Sequence, residues 1–145
     1  MPVINPWKSY RQTATLTAPP GQIVLMLYEG AMRSLERALA GFGHRDPAEM
    51  NMSVNNNLQR AREIIRELNV ALDLDKGGEL AGTLRRLYDY FDERLVESNF
   101  RKERHGVDEV LWHITELRDA WDAMLKNQVL PLPEAPEPVE AFAMA

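Results

Sequence analysis

Apolar residues recur at steps of three and four along four long stretches of the chain, the spacing that lines one face of an α-helix. In residues 20–42 the stripe is Val24, Leu27, Tyr28, Ala31, Leu35, Ala38, Leu39 and Phe42. Pro19-Pro20 marks its start, and Gly41 with Gly43 its end. A second helix is expected from residue 47, with Asp46 as cap and Pro47 at the first helical position. Its Val54, Leu58, Ala61, Ile65, Leu68 and Leu72 form a heptad seam, and Asp75-Lys76-Gly77-Gly78 is expected to break it. A third helix over 79–101 carries Leu80, Leu84, Leu87, Phe91 and Leu95, and its exit through residues 99–106 is poorly marked. A fourth over 107–127 carries Val107, Val110, Ile114, Leu117, Trp121 and Met124. Alternating β-branched runs are missing, so the expected fold is all-α, an antiparallel four-helix bundle.

Both ends break the pattern. Asn5 can cap, and Pro6 can start, a short helical segment that places Ile4, Trp7 and Tyr10 at spacings of three. One turn of helix is not stable alone, so this segment is expected to dock on something. After Asn127 come Pro131, Pro133, Pro136 and Pro138 among Glu and Ala, which reads as a disordered, mobile tail. The expected organisation is an N-terminal cap segment over 1–16, a bundle over 17–127 and a tail over 128–145.

Length and charge narrow the possibilities further. At 145 residues the chain suits a single domain able to bury a core. It holds no cysteine, which removes disulfides, thiolate metal sites and cysteine nucleophiles. The N-terminus lacks a basic start followed by an apolar run, and no apolar stretch approaches the ~20 residues of a membrane span. A soluble, cytoplasmic protein without membrane insertion is therefore expected. With 17 basic against 22 acidic residues and a formal charge of −5, the chain lacks the positive footprint of a nucleic-acid binder.

A helical bundle can house a di-metal carboxylate centre, but such a centre needs inward Glu-x-x-His pairs. None of His44, His105 and His113 follows a glutamate by three. Glu109 and His113, four apart, read as a solvated ion pair, and Asp89, Asp92 and Glu93 as an exterior salt-bridged to Arg85, Arg86 and Arg94. Gly77-Gly78 lacks the lysine and hydroxyl of a phosphate loop. The expectation is a non-enzymatic protein with no catalytic residue, metal or cofactor.

Three ordered blocks resemble one family. Leu27-Tyr28-Glu29-Gly30-Ala31 after the proline helix start, with Tyr10 upstream, is similar to the opening of the flagellar secretion chaperones, the FliS family. Leu72-Asp73-Leu74-Asp75-Lys76-Gly77-Gly78-Glu79-Leu80, then Leu87-Tyr88-Asp89-Tyr90 with Glu97 and Asn99, is a second block. Glu116-Leu117-Arg118-Asp119-Ala120-Trp121 is a third. The resemblance covers roughly residues 10–125. It implies a cytosolic chaperone that binds the disordered C-terminal region of flagellin along apolar grooves, prevents premature polymerisation and delivers it for flagellar type III export, with the export gate as a further partner. The alternatives are a helical adaptor for another partner and a metal- or ligand-binding bundle.

Packing can account for Tyr28, Gly30, Tyr88 and Trp121 before binding does, Trp121 lying on a seam and Gly30 suiting a close helix approach. Ile64, Ala71, Tyr88, Leu111 and Leu125 broaden their helix faces beyond what a seam requires. With Ile4, Trp7 and Tyr10 of the cap segment, they are the expected flagellin-contacting residues.

Overall fold

The computed structural model describes residues 20–128, and the cap segment and proline-rich tail lie outside them. Four helices fill this span: α1 Pro20–Gly41, α2 Pro47–Val70, α3 Leu74–Arg101 and α4 His105–Gln128. No strand occurs among the described residues. Around the bundle α1 packs on α2 and α4, and α3 packs on the same two. The helices form where the apolar spacing puts them because their seams have no other place to hide. Val24, Ala31 and Leu35 of α1, Leu58, Ala61 and Ile65 of α2, Ala81, Phe91 and Leu95 of α3, and Val110 and Ile114 of α4 are all buried.

The helix ends show local chemistry at work. Asp46 caps α2, its carboxylate accepting from the Glu49 N–H at 3.1 Å, with Pro47 opening the helix as expected. The end of α2 differs from the expectation: the helix stops at Val70, and Leu72 is buried although it lies beyond the last turn. Asp73 then caps a new helix, accepting from Asp75 N–H at 3.1 Å and Lys76 N–H at 2.9 Å. The expected break at 75–78 thus falls within the span of α3, where two helical pieces meet. This stretch is the first turn of α3, and the break is a kink at Gly78, which has φ 55° and ψ −131°.

The α3–α4 corner is tight. Lys102 takes the left-handed conformation with φ 53°, and its N–H donates to the Ser98 carbonyl. A non-glycine residue there costs roughly 1–2 kcal/mol, offset in part by the Nζ donating to the Asn99 carbonyl at 2.7 Å and Oδ1 at 2.6 Å. α4 begins at His105, two residues ahead of the expected start, with Gly106 in its first turn. A Cβ on residue 106 would sit 2.0 Å from the Ser98 Oγ, so only glycine lets α4 start this close to α3.

Between α2 and α3 runs a ladder of polar pairs in which each rung is one heptad from the next. Asn99 donates to Asn55 at 2.8 Å, Arg62 makes a two-pronged bond to Asp92 at 2.7 and 3.3 Å, and Arg85 donates to Asn69 at 3.3 Å. Asn69 in turn donates to Asp89 at 2.9 Å. Asp89 and Asp92 of the acidic cluster are thus paired across the helix boundary with α2, and their expected pairing with arginines of their own helix is replaced. The physical reason is geometric, since α2 lies alongside this face of α3 and brings Arg62 and Asn69 within hydrogen-bond distance of Asp92 and Asp89. A slip of one heptad would set Arg62 against Arg85, so the ladder also guards the register.

In the core, the Tyr28 and Tyr88 hydroxyls meet at 2.5 Å and join α1 to α3, which are not neighbours around the bundle. Burial drives both phenols well above their usual pKa, so both stay protonated. Removing one hydroxyl strands the other in an apolar interior. Tyr88→Phe is expected to lose about 1–3 kcal/mol in urea denaturation, and Tyr28→Phe with Tyr88→Phe to lose less than the two single losses summed. Additive losses would show that the hydroxyls do not depend on each other.

Candidate functional site

The bundle's lateral surface is interrupted by an apolar pocket of about 220 Å³ lined by Tyr28, Leu80, Leu84, Leu117, Ala120, Trp121 and Met124. α1 supplies the floor, the N-terminal half of α3 one wall and the C-terminal half of α4 the other. An apolar cavity of roughly 150 Å³ admits a benzene-sized group, so this pocket has room for one aromatic or two small aliphatic side chains.

Its position follows from where α3 and α4 are tied together. Near the Lys102 corner, Arg94 Nε donates to Glu109 at 2.8 Å, Tyr90 donates its hydroxyl to the same carboxylate at 2.5 Å, and His113 stacks on Phe91 at 5.7 Å between ring centres. The Tyr90 and Arg94 bonds hold the Glu109 carboxyl below its usual pKa. The pocket lies beyond these ties, toward the start of α3 and the end of α4. On the α1 side it is closed by Trp121, which donates its indole N–H to the Gly21 carbonyl at 2.8 Å. Glu29 meets Arg118 at 3.4 Å farther along the same α1–α4 boundary.

The structure redistributes the residues expected to form a groove. Ile64 is 1% exposed and Tyr88 fully buried, so both are core side chains, contrary to their expected place beside the seam. For Ile64 the reason is that α2 is covered on two sides, by α1 and α3, and a seam widened by one residue is swallowed whole. For Tyr88 it is the bond to Tyr28. Ala71 caps the C-terminus of α2, half-buried. Leu111 and Leu125 are half-buried and packed against the core. None of these five lines the pocket. Ile4, Trp7 and Tyr10 lie outside the described residues. The pocket residues are seam positions: Leu117, expected in the core, is half-buried and lines it, as do Leu80 and Met124. Only a departure of two helices from each other turns seam into lining, and heptad spacing carries no signal for that.

The pocket's side chains carry no carboxylate, imidazole or amine. Among the described residues no three His, Asp or Glu side chains converge as metal ligands would, and no helix is long and apolar enough to cross a membrane.

Two expectations follow from this geometry. Ile64→Asp, with no partner for a core charge, is expected to lower stability by several kcal/mol, whereas Leu117→Asp keeps the helical signal in circular dichroism because the pocket gives its carboxylate access to water. The second concerns pH. A carboxyl whose folded pKa is depressed stabilises the fold above its unfolded pKa of about 4.3 and loses that contribution as the pH falls through the folded value. Glu109→Gln should therefore be less stable than the parent at neutral pH, by about 1 kcal/mol or less for so accessible a pair. The gap should close once the parent's carboxyl protonates in acid, as read from urea curves at several pH values.

Comparison with known proteins places the chain. The family model described as flagellar protein FliS matches residues 3–128. The flagellar secretion chaperone FliS of Bacillus subtilis is 33% identical over 128 residues, covering 88% of this chain and 92% of the relative. That of Salmonella typhimurium is 34% identical over 119 residues, 79% of this chain and 85% of the relative. The Escherichia coli protein of the same name is 32% identical over 120 residues, 82% and 85% respectively. Similarity at this level over nearly the whole described span, with the bundle and its pocket built from the matched residues, means that the chain belongs to the FliS family of flagellar proteins.

Proposed function

We propose that this chain is a cytoplasmic export chaperone that binds the disordered C-terminal region of flagellin, blocks its premature polymerisation and keeps it competent for flagellar type III export, where the export gate would receive the complex. The observation that carries this reading is the apolar pocket between α3 and α4, open on one side, in a chain whose relatives are named flagellar secretion chaperones. A disordered segment that folds on binding lays an apolar face into such a groove, and side chains entering the pocket supply the anchor. Leu111 and Leu125, half-buried on α4, extend the apolar strip on either side of the pocket, with Ala71 beyond the end of α2.

The reading treats the bundle as antiparallel. In support, residues 55, 62 and 69 of α2 meet 99, 92 and 85 of α3, in reversed order. Likewise 94 and 91 of α3 meet 109 and 113 of α4. The cap segment belongs to the same reading as a latch. Its Ile4, Trp7 and Tyr10 lead into Pro20, where α1 begins beside Trp121 and the pocket. A latch sharing the groove lowers the apparent affinity of any ligand that must displace it.

The test is co-expression with flagellin followed by size-exclusion, then calorimetry with a peptide of the flagellin C-terminal region. Leu117→Asp is expected to weaken binding at least tenfold, about 1.4 kcal/mol, with the bundle still folded. Deletion of residues 1–9 is expected to leave affinity equal or higher. A parent that binds no flagellin would overturn the proposal, and a tenfold loss on deletion would make the segment part of the binding surface.

A further inference from the structure

Trp112 stands where its residue type rarely stands. It is 61% exposed on α4, and Tyr90 of α3 is 42% exposed on the same side of the bundle. Tryptophan is buried over most of its surface on average, and aromatic rings left at a surface are enriched at interfaces. The Tyr90 ring is held by its hydroxyl, which donates to Glu109, and Glu109 lies one helical turn before Trp112. Trp112 meets His113 edge-on with 5.0 Å between ring centres, and His113 stacks on the buried Phe91 at 5.7 Å. The indole is thus braced from the core outward while most of it faces water.

The charges around this ring are of one sign. Asp108 and Glu116 are both exposed and stand four residues before and four after Trp112, so one stripe of α4 reads acid, indole, acid. Neither side chain has an ion-pair partner among the described residues. Arginines of α3 and α4 are engaged with other groups: Arg94 with Glu109 at 2.8 Å, Arg101 with Glu97 at 3.5 Å and Arg118 with Asp119 at 2.7 Å. Arg86 donates to Thr83 at 3.2 Å, and Arg104, one turn before Asp108, lies over the Phe42 ring.

This arrangement discriminates among partners. The face of an indole is negative and attracts an ammonium or guanidinium group, and a carboxylate one turn to either side reaches groups held there. An acidic segment would be repelled by both carboxylates, and a wholly apolar one would bury them without a counter-charge. The two acids are about 12 Å apart along the helix axis, which is also the distance between basic residues eight apart on a second helix. Trp112 takes no part in the pocket, whose α4 members begin at Leu117.

We propose that the stripe of Asp108, Trp112 and Glu116 is a second docking surface, and that its partner is a basic helical segment of another protein, with one arginine or lysine over the indole and others on the two carboxylates. Being separate from the pocket, it can hold this partner while an apolar segment fills the pocket.

The test titrates the full chain, by calorimetry, with a synthetic alanine-rich helical peptide carrying arginine at every fourth position, and with the same peptide carrying glutamate instead. The arginine peptide is expected to bind the parent and the glutamate peptide to bind at least tenfold more weakly. Trp112→Ala should weaken the arginine peptide at least fivefold, and Asp108→Asn with Glu116→Gln at least tenfold. Glu36→Gln with Glu79→Gln, which removes as much charge from exposed positions elsewhere, should stay within twofold of the parent. Absence of binding to the parent overturns the proposal, as does a Trp112→Ala affinity within twofold of the parent. A loss in the Glu36 and Glu79 variant equal to that in the Asp108 and Glu116 variant also overturns it, since attraction would then follow net charge alone. Circular dichroism melts verify folding, and the parent gives a reading free of substitution. Its Trp112 indole N–H resonance should shift with the arginine peptide while that of Trp121, bonded to the Gly21 carbonyl, stays in place; the reverse overturns the assignment. The flagellin C-terminal peptide should bind Trp112→Ala and the parent within twofold of each other. A fivefold loss there would make the stripe part of the flagellin surface and overturn its separateness. Failure of that peptide to bind the parent bears on the chaperone reading alone.

Discussion

A phenol can be buried between helices only if its hydroxyl finds a partner, and in this bundle two phenols answer each other. The 2.5 Å bond between Tyr28 and Tyr88 spans the diagonal between α1 and α3 and lies in the middle of the apolar core. Its energy as a single hydrogen bond is modest, about 1 kcal/mol net. Its constraint is larger, because an α1 or α3 that shifts along its axis strands two buried polar groups at once. The surrounding seams can pack in several nearby ways, and the pair selects among them. Tyr28 is also the floor of the pocket, so the same contact that sets the relation of α1 to α3 sets the depth of the site.

Around that centre the three described helix boundaries with polar ties have different characters. α2 and α3 are joined by rungs one heptad apart, which hold the register along most of their length. α1 and α4 are joined by the Trp121 indole on the Gly21 carbonyl and by Glu29 with Arg118. α3 and α4 are joined near one end, by Gly106 against Ser98 and by Glu109 with Arg94 and Tyr90. A pair of helices tied near one end leaves apolar side chains uncovered at the other. The pocket is that uncovered stretch of seam, and an apolar partner segment is the natural way to cover it.

Membership of the FliS family gives the pocket a setting in flagellar assembly, and the physical reading gives the family's sequence blocks a reason. The Leu-Tyr-Glu-Gly-Ala block holds the tyrosine of the core pair and the glutamate that meets Arg118. The Leu-Asp-Leu-Asp-Lys-Gly-Gly block supplies the Asp73 cap and the kink at Gly78. The last block contributes Leu117, Ala120 and Trp121 to the pocket. Each block therefore does a different structural job.

The helical class, the four helices, the Asp46-Pro47 start of α2 and most of the buried seam were legible in the chain alone. Apolar spacing and capping chemistry act within one or two turns, and sequence displays them directly. Which seam residues would be core and which lining was decided only in three dimensions. Ile64 and Tyr88, read as surplus, are buried because neighbouring helices cover them, while Leu117, read as core, borders a gap because α3 and α4 part beyond Glu109. The partners of Asp89 and Asp92 were likewise a tertiary matter, since α2 approaches closer than their own helix's arginines. Gly77-Gly78 shows the division most plainly. A glycine pair announces that the backbone is free to turn, but whether it ends a helix or kinks one depends on the Asp73 cap before it and the packed seam after it.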